Sequence, residues 1–371
     1  SPDAEEVTGA MTFSDSGQDL RVSSSYDNSW DVELGDVDGD GDLDAYVANY
    51  DQGNRLWFND GSGTFTDSGQ NLRYNNSSSY DQTYDVDLAD LDGDGDLDAF
   101  EANYSQNNKV WLNDGAGTFT ATSQNMDSGY YSYDVDLADF DGDGDLDAFF
   151  ANYHNQSNRV WLNDGDGSFT FNQSLGSRYS WEVDIGDLDG DGDLDAFVAN
   201  HDQGNKVWLN NGSGSFTDSG QDLRENSSTD NSRGVDLADL DGDGDLDAFV
   251  ANYSQANKVW LNDGSGSFTD SGQDLGSFQS TEVELFDFDS DGDVDAYVAN
   301  YQQGNRVWVN DGSGSFTDSG LDLKDGSIYE SYGVDLGDID GDGSIGAFVA
   351  NYNDYNKVWL NDTPPKILFY T

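Results

Sequence analysis

Residues 36–44 read Asp36-Val37-Asp38-Gly39-Asp40-Gly41-Asp42-Leu43-Asp44, a carboxylate at every second position with glycines between. The pattern returns from Asp90, Asp139, Asp187, Asp239, Asp287 and Asp338, at steps of 54, 49, 48, 52, 48 and 51 residues. Seven copies with a period near fifty fill the chain. A repeat of this kind buries its apolar face by stacking on its neighbours, so the period decides the architecture.

The surroundings of each copy repeat as well. An alternating run such as Asp31-Val32-Glu33-Leu34 precedes it, and Ala45 to Tyr50 (Ala-Tyr-Val-Ala-Asn-Tyr) comes after it. Then come Asn108 to Asn113 (Asn-Lys-Val-Trp-Leu-Asn), an Asp-Gly-x-Gly turn, and Thr118-Phe119-Thr120 in the second copy. These are four short runs rich in β-branched and aromatic residues, divided by Gly, Asn and Asp, which is the pattern of strands and turns. No window holds a helical period. Four strands in each of seven repeats predict an all-β fold, a seven-bladed β-propeller of four-stranded antiparallel blades. The last repeat stops after Asn361-Asp362 without its Ser-Phe-Thr run, and the missing piece stands at the N-terminus as Thr12-Phe13-Ser14. The N-terminal strand is therefore expected to complete the last blade and close the ring, which leaves no open sheet edge. Residues 1–362 are expected to form one propeller, with 11–17 in the last blade and 363–371 a tail or linker. Trp57, Trp111, Trp161, Trp208, Trp260, Trp308 and Trp359 recur at one strand position and are expected to pack between blades.

Composition narrows the function. The 371 residues include 75 acidic and 14 basic side chains, a formal charge of −61. Nucleic acid and anionic membranes need a basic footprint that this chain lacks. Cysteine is absent and histidine is limited to His154 and His201, which excludes disulfides, thiol catalysis and multi-histidine metal sites. No apolar run reaches 18 residues, so no helical membrane insertion is expected. The first ten residues show neither the basic nor the apolar part of an export signal, so a secreted form is expected to have lost it. No nucleophile–base arrangement is visible, and no enzymatic activity is expected.

The aspartates suit a hard cation. Positions 1, 3, 5 and 9 of the loop offer carboxylates, position 7 offers a backbone carbonyl, and Gly41 permits the turn at position 6. Ca²⁺ takes six to eight oxygens in flexible geometry. The candidate ligands are Asp36, Asp38, Asp40, Asp42 and Asp44 in the first loop, and Asp90, Asp92, Asp94, Asp96 and Asp98 in the second. The third has Asp139, Asp141, Asp143, Asp145 and Asp147; the fourth Asp187, Asp189, Asp191, Asp193 and Asp195. The fifth has Asp239, Asp241, Asp243, Asp245 and Asp247; the sixth Asp287, Asp289, Asp291, Asp293 and Asp295. The seventh keeps Asp338, Asp340, Asp342 and the carbonyl of Ser344, but Gly346 replaces the last carboxylate, so up to seven Ca²⁺ are expected with the seventh weakened. An EF-hand needs flanking helices and Glu at position 12, where six of the seven copies have Val or Phe and only the second has Glu101.

In its runs Asp-Leu-Asp-Gly-Asp-Gly-Asp-Leu-Asp, Ala-Phe-Val-Ala-Asn, Asn-Lys-Val-Trp-Leu-Asn-Asp-Gly and Ser-Phe-Thr, the chain resembles the FG-GAP/VCBS repeat over residues 11–362. The resemblance implies a seven-bladed propeller with Ca²⁺ in the loops joining first and second strands, as in integrin α-subunits and many secreted bacterial proteins. Loop positions 1, 3, 5, 7 and 9 carry over as ligands, Gly346 excepted. The Phe-Gly and Gly-Ala-Pro signatures of integrins are absent, so integrin-type partner binding does not carry over.

Strand alternation places the calcium loops on one face and the blade-entering segments on the other. Those segments vary and carry Tyr26 and Trp30; Tyr74, Tyr80 and Tyr84; Tyr130, Tyr131 and Tyr133; Tyr179 and Trp181; and Tyr329 and Tyr332, with Arg224 and Arg233 in the fifth and Phe278 in the sixth. Trp30, Tyr84, Tyr133, Trp181 and Tyr332 are candidate ligand-binding residues; the alternative is that they close the channel mouth or pack between blades. The expected function is an extracellular or cell-surface recognition and adhesion module for a glycan or cell-surface protein. The alternatives are a self-assembling structural subunit of a surface layer or filament, and a polysaccharide lyase.

Overall fold

The computed structural model describes residues 11–21, 27–73, 82–224, 230–324 and 330–363. Among them there is no helix, and the strands form repeated four-stranded antiparallel blades. In the first blade, Asp27–Gly35, Asp44–Asn49, Arg55–Asn59 and Phe65–Asp67 succeed one another, with Val32 opposite Val47, Ala45 opposite Trp57 and Trp57 opposite Asp67. The registers recur in the blades that start at Thr83, Ser132, Ser180 and Ser232, and in those formed after Leu275 and Glu330. The strand Phe13–Asp15 pairs with Lys357–Asn361, Phe13 opposite Asn361 and Asp15 opposite Trp359.

The second strand explains why its sequence is apolar without alternation. All six residues of Asp44–Asn49 are buried, as are those of Asp98–Asn103 and Asp147–Asn152. A strand covered on both faces reads as a continuous apolar run. Small Ala45 and Ala48 alternate with larger Tyr46 and Val47, so the neighbouring blades approach closely. The apolar clusters accordingly mix residues of adjacent repeats. Val37, Tyr46 and Leu56 of the first repeat join Val86, Ala99, Trp111 and Phe119 of the second. Val32, Ala45 and Trp57 of the first join Ile339, Phe348 and Val358 of the last. The repeated tryptophans are 5–9% exposed where they are most buried (Trp57, Trp111, Trp208, Trp260, Trp308 and Trp359), and each sits in such an inter-blade cluster. Burial of an aromatic of this size makes truncation to Ala cost about 3–5 kcal/mol.

Polar side chains stitch the blades. The amide of Gln18 donates to the Gly63 carbonyl while its oxygen accepts from the Phe65 N–H at 2.9 Å. Gln70, Gln124, Gln221 and Gln273 repeat this bridge to the next repeat, and Gln173 makes its equivalent to Phe216. At the corresponding place before the last repeat stands Leu321, which packs against the same apolar cluster as Met11 and Phe13 instead.

The first strand carries a bulge at one place in every repeat. Register shifts fall between Ser29 and Asp31, Thr83 and Asp85, Ser132 and Asp134, Ser180 and Glu182, Ser232 and Gly234, Ser280 and Glu282, and Ser331 and Gly333. The extra residue of a bulge is released from the ladder and its side chain is re-aimed. The preceding Ser or Thr anchors the strand: Ser29 Oγ donates to Asn49 Oδ1 at 2.9 Å, and Asn49 N–H donates to Asn54 Oδ1 at 2.8 Å.

Candidate functional site

The bulged residues are Trp30, Tyr84, Tyr133, Trp181, Arg233, Thr281 and Tyr332. All five aromatic candidates from the sequence are therefore equivalent positions, brought to one place. Trp30 lies 4.1 Å from Tyr84 and 4.1 Å from Tyr332 between ring centroids, Tyr84 lies 4.4 Å from Tyr133, and Tyr133 lies 4.7 Å from Trp181. The Arg233 guanidinium covers Trp181 at 4.2 Å and Tyr253 at 3.7 Å, a paired cation–π contact. The rings fill the mouth so closely that the cavity they line with the carboxylates below is about 30 Å³. In the sixth repeat the equivalent position is Thr281, not Phe278; Phe278 packs 6.5 Å from Trp308 beneath the Arg306 guanidinium. Tyr26, Tyr74, Tyr80 and Tyr329 lie outside the described residues.

Around this plug runs a second circle, the aromatic of the Asn-Tyr pair: Tyr50, Tyr104, Tyr153, Tyr253, Tyr301 and Tyr352, with His201 in the fourth repeat. Tyr84 stacks on Tyr104 at 5.3 Å and Tyr133 meets Tyr153 at 4.6 Å. Tyr153 Oη and His201 Nδ1 are 3.3 Å apart.

Beneath the plug the first strands present carboxylates that sequence reading left unassigned. Asp31, Asp85, Asp134, Glu182 and Glu282 line the mouth cavity. A deeper cavity of about 260 Å³ is lined by Glu33, Asp87, Asp136, Asp184, Asp236 and Glu284, with Asp335 at the matching position of the last repeat. A first strand has a free edge of N–H groups along the channel, and the acids satisfy it. Asp85 accepts from Val135 N–H at 2.8 Å, Asp134 from Val183 N–H at 2.9 Å, and Glu182 from Val235 N–H at 3.0 Å. Asp335 accepts from Leu34 N–H at 2.6 Å, which links the last repeat to the first. Burial holds these carboxyls above their ordinary range, against the lowering effect of the hydrogen bonds they accept: Asp87 and Asp236 at about 6, Asp335 at about 7, Glu282 at about 8. The signal was present in the alternating Asp/Glu of each first run, where a solvent-facing strand and a channel-facing strand look alike.

The opposite face carries the aspartate loops. Asp36 Oδ1 accepts from Gly39 N–H at 2.8 Å and its Oδ2 from Gly41 N–H at 3.0 Å. Gly41 has φ 97°, a conformation that a side chain would strain. The loop is thus curled with its carboxylates inward: oxygens of Asp36, Asp38 and Asp40 lie within 4.8 Å of one another, and so do those of Asp90, Asp92 and Asp98 and of Asp139, Asp141 and Asp147. The position-9 acids are fully buried. Asp44 accepts from Asn59 N–H at 2.9 Å and Val37 N–H at 3.3 Å, and burial raises it to about 7. Burial and the adjacent Asp143 also raise Asp141. Asp141 Oδ1, Asp189 Oδ1 and Asp338 Oδ1 are buried without a hydrogen-bond partner. Inward carboxylates with orphaned oxygens are a donor set that fits Ca²⁺. In the seventh loop Gly346 stands where the other loops have a buried carboxylate, and a side chain there would begin 2.8 Å from the Trp359 carbonyl.

The model of the FG-GAP-like repeat matches residues 36–101, 90–150, 139–198, 187–250, 239–298 and 287–345. The chain belongs to the FG-GAP-like repeat family. Its blades resemble propellers of low sequence identity. The BP39L lectin from Burkholderia pseudomallei superimposes with a TM-score of 0.67 at 12% identity over 93% of this chain and 99% of the lectin. A Lactobacillus plantarum protein gives 0.64 at 16% identity over 82% and 87%. BBS1N, solved in complex with ARL6DN, gives 0.61 at 11% identity over 92% and 94%. No curated protein matches the FG-GAP-like chain. These likenesses concern the fold.

Proposed function

We propose that the chain is a calcium-braced seven-bladed propeller, closed by its N-terminal strand, that recognises glycans outside the cell through its aromatic face and has no enzymatic role. The observation that carries this reading is the opposition of two faces. On one, loops of inward carboxylates offer donor sets for Ca²⁺ at the blade ends; on the other, bulges deliver aromatic side chains to one surface. Asp at positions 1, 3, 5 and 9 and the carbonyl of position 7 would hold each ion, with the seventh loop supplying fewer oxygens. Bound Ca²⁺ supplies neutralising charge and cross-links each loop; extracellular sites of this type bind at roughly 10⁻⁴ to 10⁻³ M, which favours an exported protein. Ring closure is supported by the pairing of Phe13–Asp15 with Lys357–Asn361 and by the shared core of the first and last repeats. Thr12 N–H donating to Thr363 Oγ1 at 3.1 Å extends the closing seam by one residue beyond 362.

Aromatic rings next to amides and hydroxyls suit sugars, whose apolar faces stack while their hydroxyls bond. The lectin among the similar folds accords with this reading. A glycan array probed with about 1 mM Ca²⁺, the upper end of that affinity range, and again with chelator is the test. Calcium-dependent retention on a subset of glycans is expected; retention on none would remove the glycan reading.

A further inference from the structure

One backbone feature recurs around the aromatic face. The residue after each Asn-Tyr or Asn-His pair takes a left-handed conformation without being glycine: Asp51, Ser105, His154 and Asp202 in the first four repeats, Ser254, Gln302 and Asn353 in the last three, with φ from 55° to 67°. Among the described residues the chain meets the same demand with glycine at 33 other positions, and with another residue at only Asp127, Asn155 and Ser290. Left-handed backbone costs an ordinary residue about 1–2 kcal/mol, less for Asn or Asp, and glycine almost nothing. Turn geometry alone therefore favours glycine here. The chain instead keeps a polar side chain seven times, and six of the seven are exposed, Asp51 being half-buried. Strain retained in this way belongs to positions where the side chain is used.

Two of these side chains meet the hydroxyl of an outer tyrosine directly: His154 Nε2 is 3.1 Å from Tyr104 Oη of the preceding repeat, and Gln302 Nε2 is 3.2 Å from Tyr301 Oη. Gln302 and Asn353 also donate to Glu330, at 2.9 and 3.2 Å. A ring with an adjacent polar tip can stack on one sugar unit and bond its hydroxyls. The unit is shallow. The mouth is filled by its own aromatics, and the cavity beside Gln302, Glu330, Tyr352, Asn353 and Asp354 is about 310 Å³, the lower end for an enclosing pocket. A net charge of −61 disfavours anionic polymers.

We propose that this face is a circle of equivalent shallow subsites, one per repeat, each made of the outer aromatic and the left-handed polar residue that comes after it, and that the ligand is a neutral polysaccharide held by several subsites at once. The proposal rests on the glycan reading above and adds valency and polymer class to it. Engagement of several linked units raises avidity by about 10²–10⁴ over a single unit.

Glycine substitution isolates the side chain, because it relieves the backbone rather than straining it. Full-length protein in constant Ca²⁺ would be measured on immobilised mannan, dextran and xyloglucan, with alginate as the anionic control and di- to hexasaccharides of the same sugars as competitors. Wild type is expected on at least one neutral polymer and not on alginate. Per sugar unit, the short competitors should be weaker by about 100-fold or more. The combined variant Ser105→Gly, Ser254→Gly and Asn353→Gly should melt no lower than wild type and lose at least about tenfold in polymer affinity. Equal binding by that variant, equal potency of disaccharide and polymer, or capture by alginate would overturn the subsite proposal and leave glycan recognition standing. Failure of wild type to bind any of the sugars would overturn both.

Discussion

At the scale of the residue, the carboxylates divide by surroundings rather than by type. Those in the loops curl inward around orphaned oxygens, and those of the first strands face the channel and cap the next blade's N–H groups. Glu182 and Glu282 illustrate the consequence for protons. They share a hydrogen bond, and burial with Glu282 nearby raises Glu182 well above its ordinary value while Glu282 is pushed to about 8. The unfolded chain releases the Glu282 proton near pH 4.5 and the folded one retains it to about 8, with Glu182 raised in the same direction. Stability from this pair is full below that window and declines as pH rises through it. In Glu182→Gln the amide oxygen can still accept from Val235 and its NH₂ can donate to Glu282 without a borrowed proton. Thermal melts at fixed saturating Ca²⁺ should show the variant gaining on wild type between pH 5 and 8 (roughly the titration window), by several degrees at the upper end. Parallel curves would contradict shared-proton pairing. The position of these acids was visible in the sequence, but nothing in Asp31-Val32-Glu33-Leu34 tells channel from solvent, because only the packing of one repeat on the next brings first strands together.

At the scale of the element, the strands, turns and glycine-dependent loops were legible because each is a local pattern repeated. Strand two announced itself by an apolar run, and the tryptophans of strand three by their fixed place in the period. Bulges were not legible: the serine or threonine before Trp30 or Tyr84 carries the same period-2 pattern with or without an extra residue. Hence the sequence shows Phe278 in the sixth segment but not that the bulge gives the equivalent position to Thr281. The glutamine bridge was also hidden in Asp-Ser-Gly-Gln, whose last residue looks like part of a turn. Its absence at Leu321 leaves that seam without the two bridging hydrogen bonds the others have. Restoring it with Leu321→Gln replaces an apolar contact by two hydrogen bonds. Each is worth about 0.5–1.5 kcal/mol net, against about 1–2 kcal/mol for the lost leucine packing. The seam should therefore tighten with little change in global stability. Amide exchange at Phe13 and Ser14 should slow several-fold relative to the other outer strands; unchanged exchange there would mean that the bridge does not govern the seam.

At the scale of the whole molecule, the charge of −61 becomes intelligible as three populations. Thirty-three of the 75 acids lie in the repeated loops and twelve line the channel; the described remainder is mostly exposed, as at Asp19, Asp60 and Asp202, with Asp27, Glu101, Asp127 and Asp230 buried. The first group asks for cations, the second is neutralised by protons and N–H groups, and the third is screened by salt. Such a fold should be conditional on its metal. At a free concentration of about 100 times Kd, each independent site stabilises by about 2.7 kcal/mol, and six full loops act together. The most direct measurement is thermal unfolding in Ca²⁺ and in chelator, alongside elemental analysis of protein dialysed to equilibrium against Ca²⁺. Close to six bound Ca²⁺ per chain are expected, with a weaker seventh, and a melting temperature lower by more than about 10 °C without metal. An unchanged melting temperature in chelator, with no metal on the protein beyond that of the dialysate, would contradict a calcium-braced fold.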